Sequence, residues 1–241
     1  MSSLLYAGNV KINDALSIPV PTVGYVIDHE DEYYDVVCTV IATPYDMMVQ
    51  LDDAGIDFTA ISEYDLFRML FPRIQEMDTS MVFGGLDLSG FKTVRHPDYK
   101  EIVIMNPDTG IVIDRAVYAM IVSALRKILN LPKENKKPGN AEARKYLLER
   151  ARIKLKRKMR KAKQGQSTSQ LESYIVALVN TPEFKYDYES VRDISIYQFY
   201  ESLKQIVHKI HYDNTMIGYY AGTVKLDDLP KESRSWIVTN E

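Results

Sequence analysis

The sequence predicts an α+β fold: an N-terminal mixed module with a β-hairpin and short helices, a long basic helix, and a helical C-terminal module. Three observations carry this. Ile102, Ile104 and Ile111, Ile113 form two alternating β-branched runs around Asn106-Pro107-Asp108-Thr109-Gly110, a turn in which Pro presets φ and Gly supplies a positive one. Elsewhere apolar residues recur at three- and four-residue spacing, the period of a helix with one buried face. The run from Ala141 to Lys163 holds no Gly or Pro and is dense in Ala, Leu, Arg and Lys, all strong helix formers. The expected modules are residues 1–130, acidic and α+β; 131–168, a basic amphipathic helix with its linkers; and 169–241, helical.

Along the chain, Ile18-Pro19-Val20-Pro21-Thr22-Val23-Gly24 reads as extended, because each proline pushes the residue before it out of the α region. The acidic cluster 28–32 then precedes Tyr33, Tyr34, Val36, Val37, Val40 and Ile41, a helix with acids at its positive end. After Pro44, Met47, Met48 and Leu51 form a second short helical face closed by Gly55. Ser62 caps a third helix through Leu66, Met69 and Leu70 toward Pro72. Phe91 to Val94 adds a strand to the hairpin, with His96-Pro97-Asp98 as the turn. Asp114 caps a helix whose Val117, Ile121, Leu125 and Ile128 share one face. Residues 131–139, with two prolines, mark a break, and 164–170 a polar linker. Leu171, Tyr174, Ile175 and Leu178 give a helix ending near Pro182. Ile196, Phe199, Tyr200, Leu203, Ile206 and Val207 give a longer one, capped by Asp193 or Ser195.

With 241 residues, 46% of them apolar and 26% charged, the chain has the proportions of a globular protein of one large or two small domains. No apolar run approaches the roughly 20 residues that span a bilayer. The N-terminus lacks a basic n-region and a long apolar h-region, so export is not indicated, and the lone Cys38 suits a reducing cytoplasm. The near-neutral net charge of −3 hides an acid–base–acid order. Residues 1–125 hold 7 Lys/Arg and 19 Asp/Glu, residues 126–164 hold 16 and 3, and residues 165–241 hold 7 and 11. Such a positive block either folds onto its acidic neighbours or meets an anionic partner.

Catalysis needs groups that converge in space, and little in the spacing forces convergence. His208 and His211 are three apart on a helix, but a catalytic zinc takes three protein ligands and only His29 and His96 remain. The 28–32 cluster lacks the glycine and alternating ligands of a calcium loop, and Asp52 and Asp53, being adjacent, read as solvated. Gly84-Gly85 and the pair Gly218 and Gly222 match no phosphate-binding pattern. Cys38, between valines and acids, reads as a small apolar side chain rather than a thiolate. The expectation is a protein with no catalytic residues, metal or cofactor.

The basic helix is the segment that asks for a role. Leu148, Ala151, Leu155, Met159 and Ala162 step by three or four, giving a narrow apolar seam, while Arg150, Lys154, Arg157, Lys158, Arg160 and Lys161 surround it. The expected partner-binding residues are Leu148, Arg150, Lys154, Leu155, Arg157, Lys158, Met159, Arg160 and Lys161. The seam would dock into a partner's groove and the cations would select an acidic partner. Docking on the chain's own acidic region and binding to nucleic acid are the alternatives. The missing stacking aromatics after Tyr146 count against nucleic acid, and the lack of Trp or Phe in the seam counts against a membrane surface.

The stretch Ala42-Thr43-Pro44-Tyr45-Asp46-Met47-Met48-Val49-Gln50-Leu51-Asp52-Asp53-Ala54-Gly55-Ile56-Asp57-Phe58, with Glu63-Tyr64-Asp65-Leu66-Phe67, resembles proteins encoded in the tail-module region of tailed phages and prophages of Gram-positive bacteria. Asp193-Ile194-Ser195-Ile196-Tyr197-Gln198-Phe199-Tyr200, followed by Gly222 and Trp236, is similar to the helical tail of such proteins. The resemblance implies a non-enzymatic morphogenesis protein of the tail assembly chaperone type. Proteins of that type keep the tape measure protein soluble in the host bacterial cytoplasm until tail tube subunits polymerise around it. Alternatives are a structural component of the neck, tail or baseplate of the virion, or a nucleic-acid-binding protein acting through the basic helix. Self-association is compatible with each. The resemblance carries over no individual functional residue.

Overall fold

A computed structural model describes residues 4–95, 101–132, 137–163, 169–225, 227 and 229–238. The fold is α+β, with two small antiparallel sheets and a helical C-terminal region. The chain divides into two compact units. One comprises Met1–Pro21 with His29–Ser169, and the other Thr22–Asp28 with Gln170–Glu241.

In the first unit β1 (Asn9–Lys11) pairs with β2 (Ser17–Pro19), a short hairpin the sequence pattern does not announce. α2 (Glu30–Val40) carries Glu30, Asp31 and Glu32 in its first turn and buries Tyr33, Val36, Val37 and Val40. Those acids complement the helix dipole, as the sequence predicts. Cys38 lies between the buried valines in sequence but faces outward, a correction to its reading as an apolar packing residue. α3 (Met48–Asp53) ends before Gly55, whose φ of 71° closes the turn. Ser62 caps α4 (Glu63–Gln75) by accepting from the Asp65 amide. This helix runs through Pro72 rather than stopping there. Phe71 and Ile74, on either side of the proline, are buried, and that packing outweighs the lost backbone hydrogen bond. Met69, expected on the buried face, is exposed.

After the short α5 (Ser80–Phe83), β3 (Lys92–Arg95), β4 (Ile102–Met105) and β5 (Val112–Ile113) form a three-stranded sheet, with Ile104 opposite Ile113. The hairpin turn is as expected: the Asn106 side chain accepts from the Asp108 amide at 3.0 Å, and Gly110 takes a φ of 69°. The expected turn at His96-Pro97-Asp98 lies outside the described residues. Asp114 caps α6 (Arg115–Ile128), accepting from the Val117 amide at 2.8 Å. Phe67 stacks on Tyr118 with centroids 4.5 Å apart, and Phe71 meets Phe91 edge-on. Two buried phenols tie elements together: Tyr64 donates to the Ile113 carbonyl at 2.7 Å and Tyr118 to the Val40 carbonyl at 3.2 Å. A separate cluster of Ala42, Leu51, Phe58 and Leu66 joins α3 to the start of α4. The long helix α7 (Ala141–Lys163) also belongs to this unit.

The second unit is built from α8 (Gln170–Val179), a 3-10 turn at Ser190–Arg192, α9 (Ile196–Tyr220) and a 3-10 turn at Lys231–Arg234. Ser195 is the helix cap: it accepts from the Gln198 amide, and the Gln198 side chain accepts from the Ser195 amide at 2.9 Å. Most of the linker expected at 164–170 lies outside the described residues. The unit also contains α1 (Val23–Asp28), from far back in the chain. Thr22 bridges to Ser195, the Val23 amide donates to the Ile194 carbonyl at 2.9 Å, and Asp28 pairs with Arg192 at 2.7 Å. Reading 18–24 as wholly extended is therefore corrected at its end. The prolines do keep Val20 out of a helix, but Val23 and Val26 gain burial by starting one immediately afterwards.

Candidate partner-binding surface

α7 forms because 23 residues of high helix propensity follow a capping residue, with the Asn140 side chain accepting from the Ala143 amide at 2.7 Å. Its two halves differ. From Ala143 to Leu155 one stripe is half-buried: Ala143, Arg144, Leu147, Leu148, Ala151, Arg152 and Leu155. This stripe packs on α3. Arg144 lies over the Phe58 ring at 5.2 Å and pairs with Asp57 at 3.2 Å. Arg152 reaches both Asp52, at 2.8 Å, and Asp53, at 2.6 Å. These two aspartates are thus not simply solvated. At the C-terminal end of α3 their carboxylates converge on one guanidinium, although adjacent helical residues point in different directions.

The electrostatics agree with that geometry. Hydrogen bonds that the Arg152 guanidinium donates to the two aspartates, Asp53 first, hold it above its ordinary value. Bonds from the Thr59 hydroxyl and amide, with a smaller push from Arg144, hold Asp57 below the usual carboxylate range. All are partly solvated, so salt screens them. They orient the helix more than they stabilise the fold.

Beyond Leu155 the character changes. Lys156, Arg157, Lys158, Met159, Arg160, Lys161 and Lys163 are exposed, and Met159 keeps 59% of its surface in solvent although it lies on the continuation of the docked stripe. Of the expected binding residues, Leu148 and Leu155 are therefore half-buried on the α3 side. Arg150, Lys154, Arg157, Lys158, Met159, Arg160 and Lys161 face solvent. The Ala162 side chain lies outside the described residues. A second exposed face, missed in the sequence, carries Tyr146 and Ile153, with Arg150 over the Tyr146 ring at 5.6 Å. Seven-residue spacing between Tyr146 and Ile153 was the available signal.

Other candidate chemistry is placed as follows. Among the described residues there is no group of three or more His, Cys, Asp or Glu that could hold a metal. His208 meets the Ser235 carbonyl through its Nε2 at 2.7 Å. Partial desolvation raises the Cys38 thiol above its ordinary value, and Asp35 and Asp46 add to this against the opposing charge of Lys158. A cleft of about 520 Å³ lies along α6 at the start of α4, lined by Tyr64, Arg115, Tyr118, Ser123 and Arg126 among others. Burial pushes Tyr64 up to about 12 and Tyr118 higher still, so both phenols remain protonated hydrogen-bond donors at neutral pH.

The distal turn of α7 is where a known family begins. Residues 161–239 match the YomV second domain. That family derives from Bacillus phages and prophages, and the match is consistent with a phage protein. No curated protein and no solved structure matches the chain. The YomV second domain match spans α8 and α9 and about a third of the chain. It excludes α1 and the docked half of α7. Among the described residues no helix is long and apolar enough to cross a membrane.

Proposed function

We propose that this is a non-enzymatic assembly factor of a tailed phage, of the tail assembly chaperone type, which binds an acidic, amphipathic helical segment of the tape measure protein. The observation that carries this reading is the division of α7. Arg144 and Arg152 clamp one half to the chain's own acidic residues, and the other half presents an uncovered methionine among six exposed cations. A helix fixed at one end positions those cations while leaving them in solvent. Long-range attraction would steer the client, and the small apolar contact at Met159 would keep the complex reversible. The match of residues 161–239 to that phage-derived family supports the biological setting. The setting for such work is the host bacterial cytoplasm, before tail completion.

The test is co-expression with the tape measure protein and affinity capture. Wild type should retain it, and the double change Arg157→Glu with Lys158→Glu should lose most of it. Capture unaffected by charge reversal would overturn the electrostatic role, and finding the protein at fixed stoichiometry in mature particles would instead make it a structural virion component. A second reading draws on the placement of the distal cations, which lie on several sides of the helix as they would for contact with a phosphate backbone. Retention of a nucleic acid that weakens steeply as salt rises, with no capture of the tape measure protein, would favour it.

A further inference from the structure

The C-terminal part of α9 carries a second apolar stripe, in the unit opposite in sequence to α7. Val207, Ile210 and Ile217 are 44%, 41% and 67% exposed, and Leu203 is half-buried. Placed on a heptad, Leu203, Ile210 and Ile217 occupy d, and Val207, Asn214 and Ala221 occupy a. The outer positions are already engaged within the unit. Gln205, at f, donates to the Trp236 carbonyl at 2.6 Å and accepts from the Val238 amide at 3.1 Å. His208, at b, meets the Ser235 carbonyl. Lys209, at c, pairs with Asp213 at 2.5 Å. Residues 235–238 therefore lie on the face away from the a/d seam, while Thr223 and Val224 fold back on Gly218 at the flanking e position.

We propose that this seam pairs with the same seam of a second copy of the chain, in a parallel, in-register, two-stranded coiled coil. Asn214 decides between occupants. An amide at an a position is costly against an apolar groove, where its donors and acceptor lose water without replacement. Against the Asn214 of an identical chain, donor meets acceptor across the two-fold axis, which is how a single a-position asparagine fixes register and strand number. An antiparallel pairing layers a against d, so Asn214 would face Leu203 or Ile210 of the other chain and leave the amide unmatched. Val207 at a with Leu203 at d matches the two-stranded pattern, Ile210 and Ile217 at d pull toward higher strand numbers, and Asn214 at a decides for two. Parallel pairing also brings Ile206 toward His211 and Asp213 toward Gly218, so no like charges face each other across the flanks. The seam from Leu203 to Ala221 is about 27 Å long. With few large side chains, its interface belongs at the small end, on the order of 1,000 Å² in total, so the dimer dissociates on dilution.

Sedimentation equilibrium of the full chain over a concentration series is the test. The mass should rise from 27.7 kDa toward twice that value, and Ile217→Glu should hold it at the lower value with an unchanged far-UV circular dichroism spectrum. In a Cys38→Ser background, Asn214→Cys should give a disulfide-linked dimer when an added oxidant accepts the two thiol electrons. A single species of 27.7 kDa at millimolar concentration would overturn the proposal. So would a dimer that survives Ile217→Glu, a trimer, or a dimer of the Asn214→Cys variant that does not crosslink.

Discussion

The second unit contains a helix that the family match to residues 161–239 does not include, and its contribution can be worked from the structure. Val26 of α1 is completely buried, so Val26→Ala removes two methyl groups from a filled site. At about 0.8 kcal/mol per buried carbon, with a cavity term added, the cost is about 2–3 kcal/mol. That is a large share of the roughly 5–15 kcal/mol typical of a whole domain. Gly24→Ala pits two effects against each other. Helix propensity favours alanine by up to about 1 kcal/mol. The new Cβ would lie 3.0 Å from both the Arg192 Cβ and the Arg192 carbonyl oxygen, however, and the carbonyl is backbone held in a 3-10 turn. Overpacking of this kind costs roughly 1–3 kcal/mol, so the clash wins. Hydrogen exchange followed by mass spectrometry is the assay. Both variants should lose protection in α8 and α9 while α2, α4 and α6 keep theirs. Unchanged protection in α9, or a loss centred on α2 and α4, would refute the assignment of α1 to the C-terminal unit.

Arg152→Ala should raise exchange along α7 while leaving the main unfolding transition of the first unit in place, and about 0.5 M NaCl should reproduce part of that effect in the wild type. Asp65 is held below the usual carboxylate range, first by the Ser62 hydroxyl and further by Arg68 and Arg115. A depressed carboxylate stabilises the fold above its unfolded value near 4 and loses that contribution as pH falls through the folded value. Thermal melts from about pH 6 downward should therefore show a decline beginning below about pH 4 that Ser62→Ala makes shallower. Tyr64→Phe removes a buried hydrogen bond to the Ile113 carbonyl and should lower stability by about 1–2 kcal/mol in urea unfolding, with no change in m-value.

Much of the fold is legible in the sequence wherever local chemistry and burial point the same way. The Asn106 to Gly110 turn, the Ser62, Asp114 and Ser195 caps, and the ends of α7 all follow from residues within four positions of each other. The departures occur where a distant contact decides. Pro72 signals a stop, yet Phe71 and Ile74 have core positions to fill on either side of it. Val23 follows a proline-rich extended run, yet the Ile194 carbonyl, far along the chain, takes its amide and starts a helix. A single sequence carries no local trace of such a partner, because the signal is divided between two segments far apart in the chain.

The candidate surface shows the same division at finer scale. Helical period places Leu148, Ala151, Leu155 and Met159 on one line, and charge composition says that acidic groups will meet the cations. Neither says how far along the line those groups extend. The answer depends on α3, whose six residues end in Asp52 and Asp53 and support the stripe as far as Leu155. One further turn carries the helix about 5.4 Å beyond, which is why Met159 and its flanking cations stand in solvent. Lengthening the docked stripe should therefore consume the free one. If Met159→Ala left client capture intact while Ile153→Ala abolished it, the working face would be the Tyr146 and Ile153 side instead, and the clamp made by Arg152 would serve to turn that side outward.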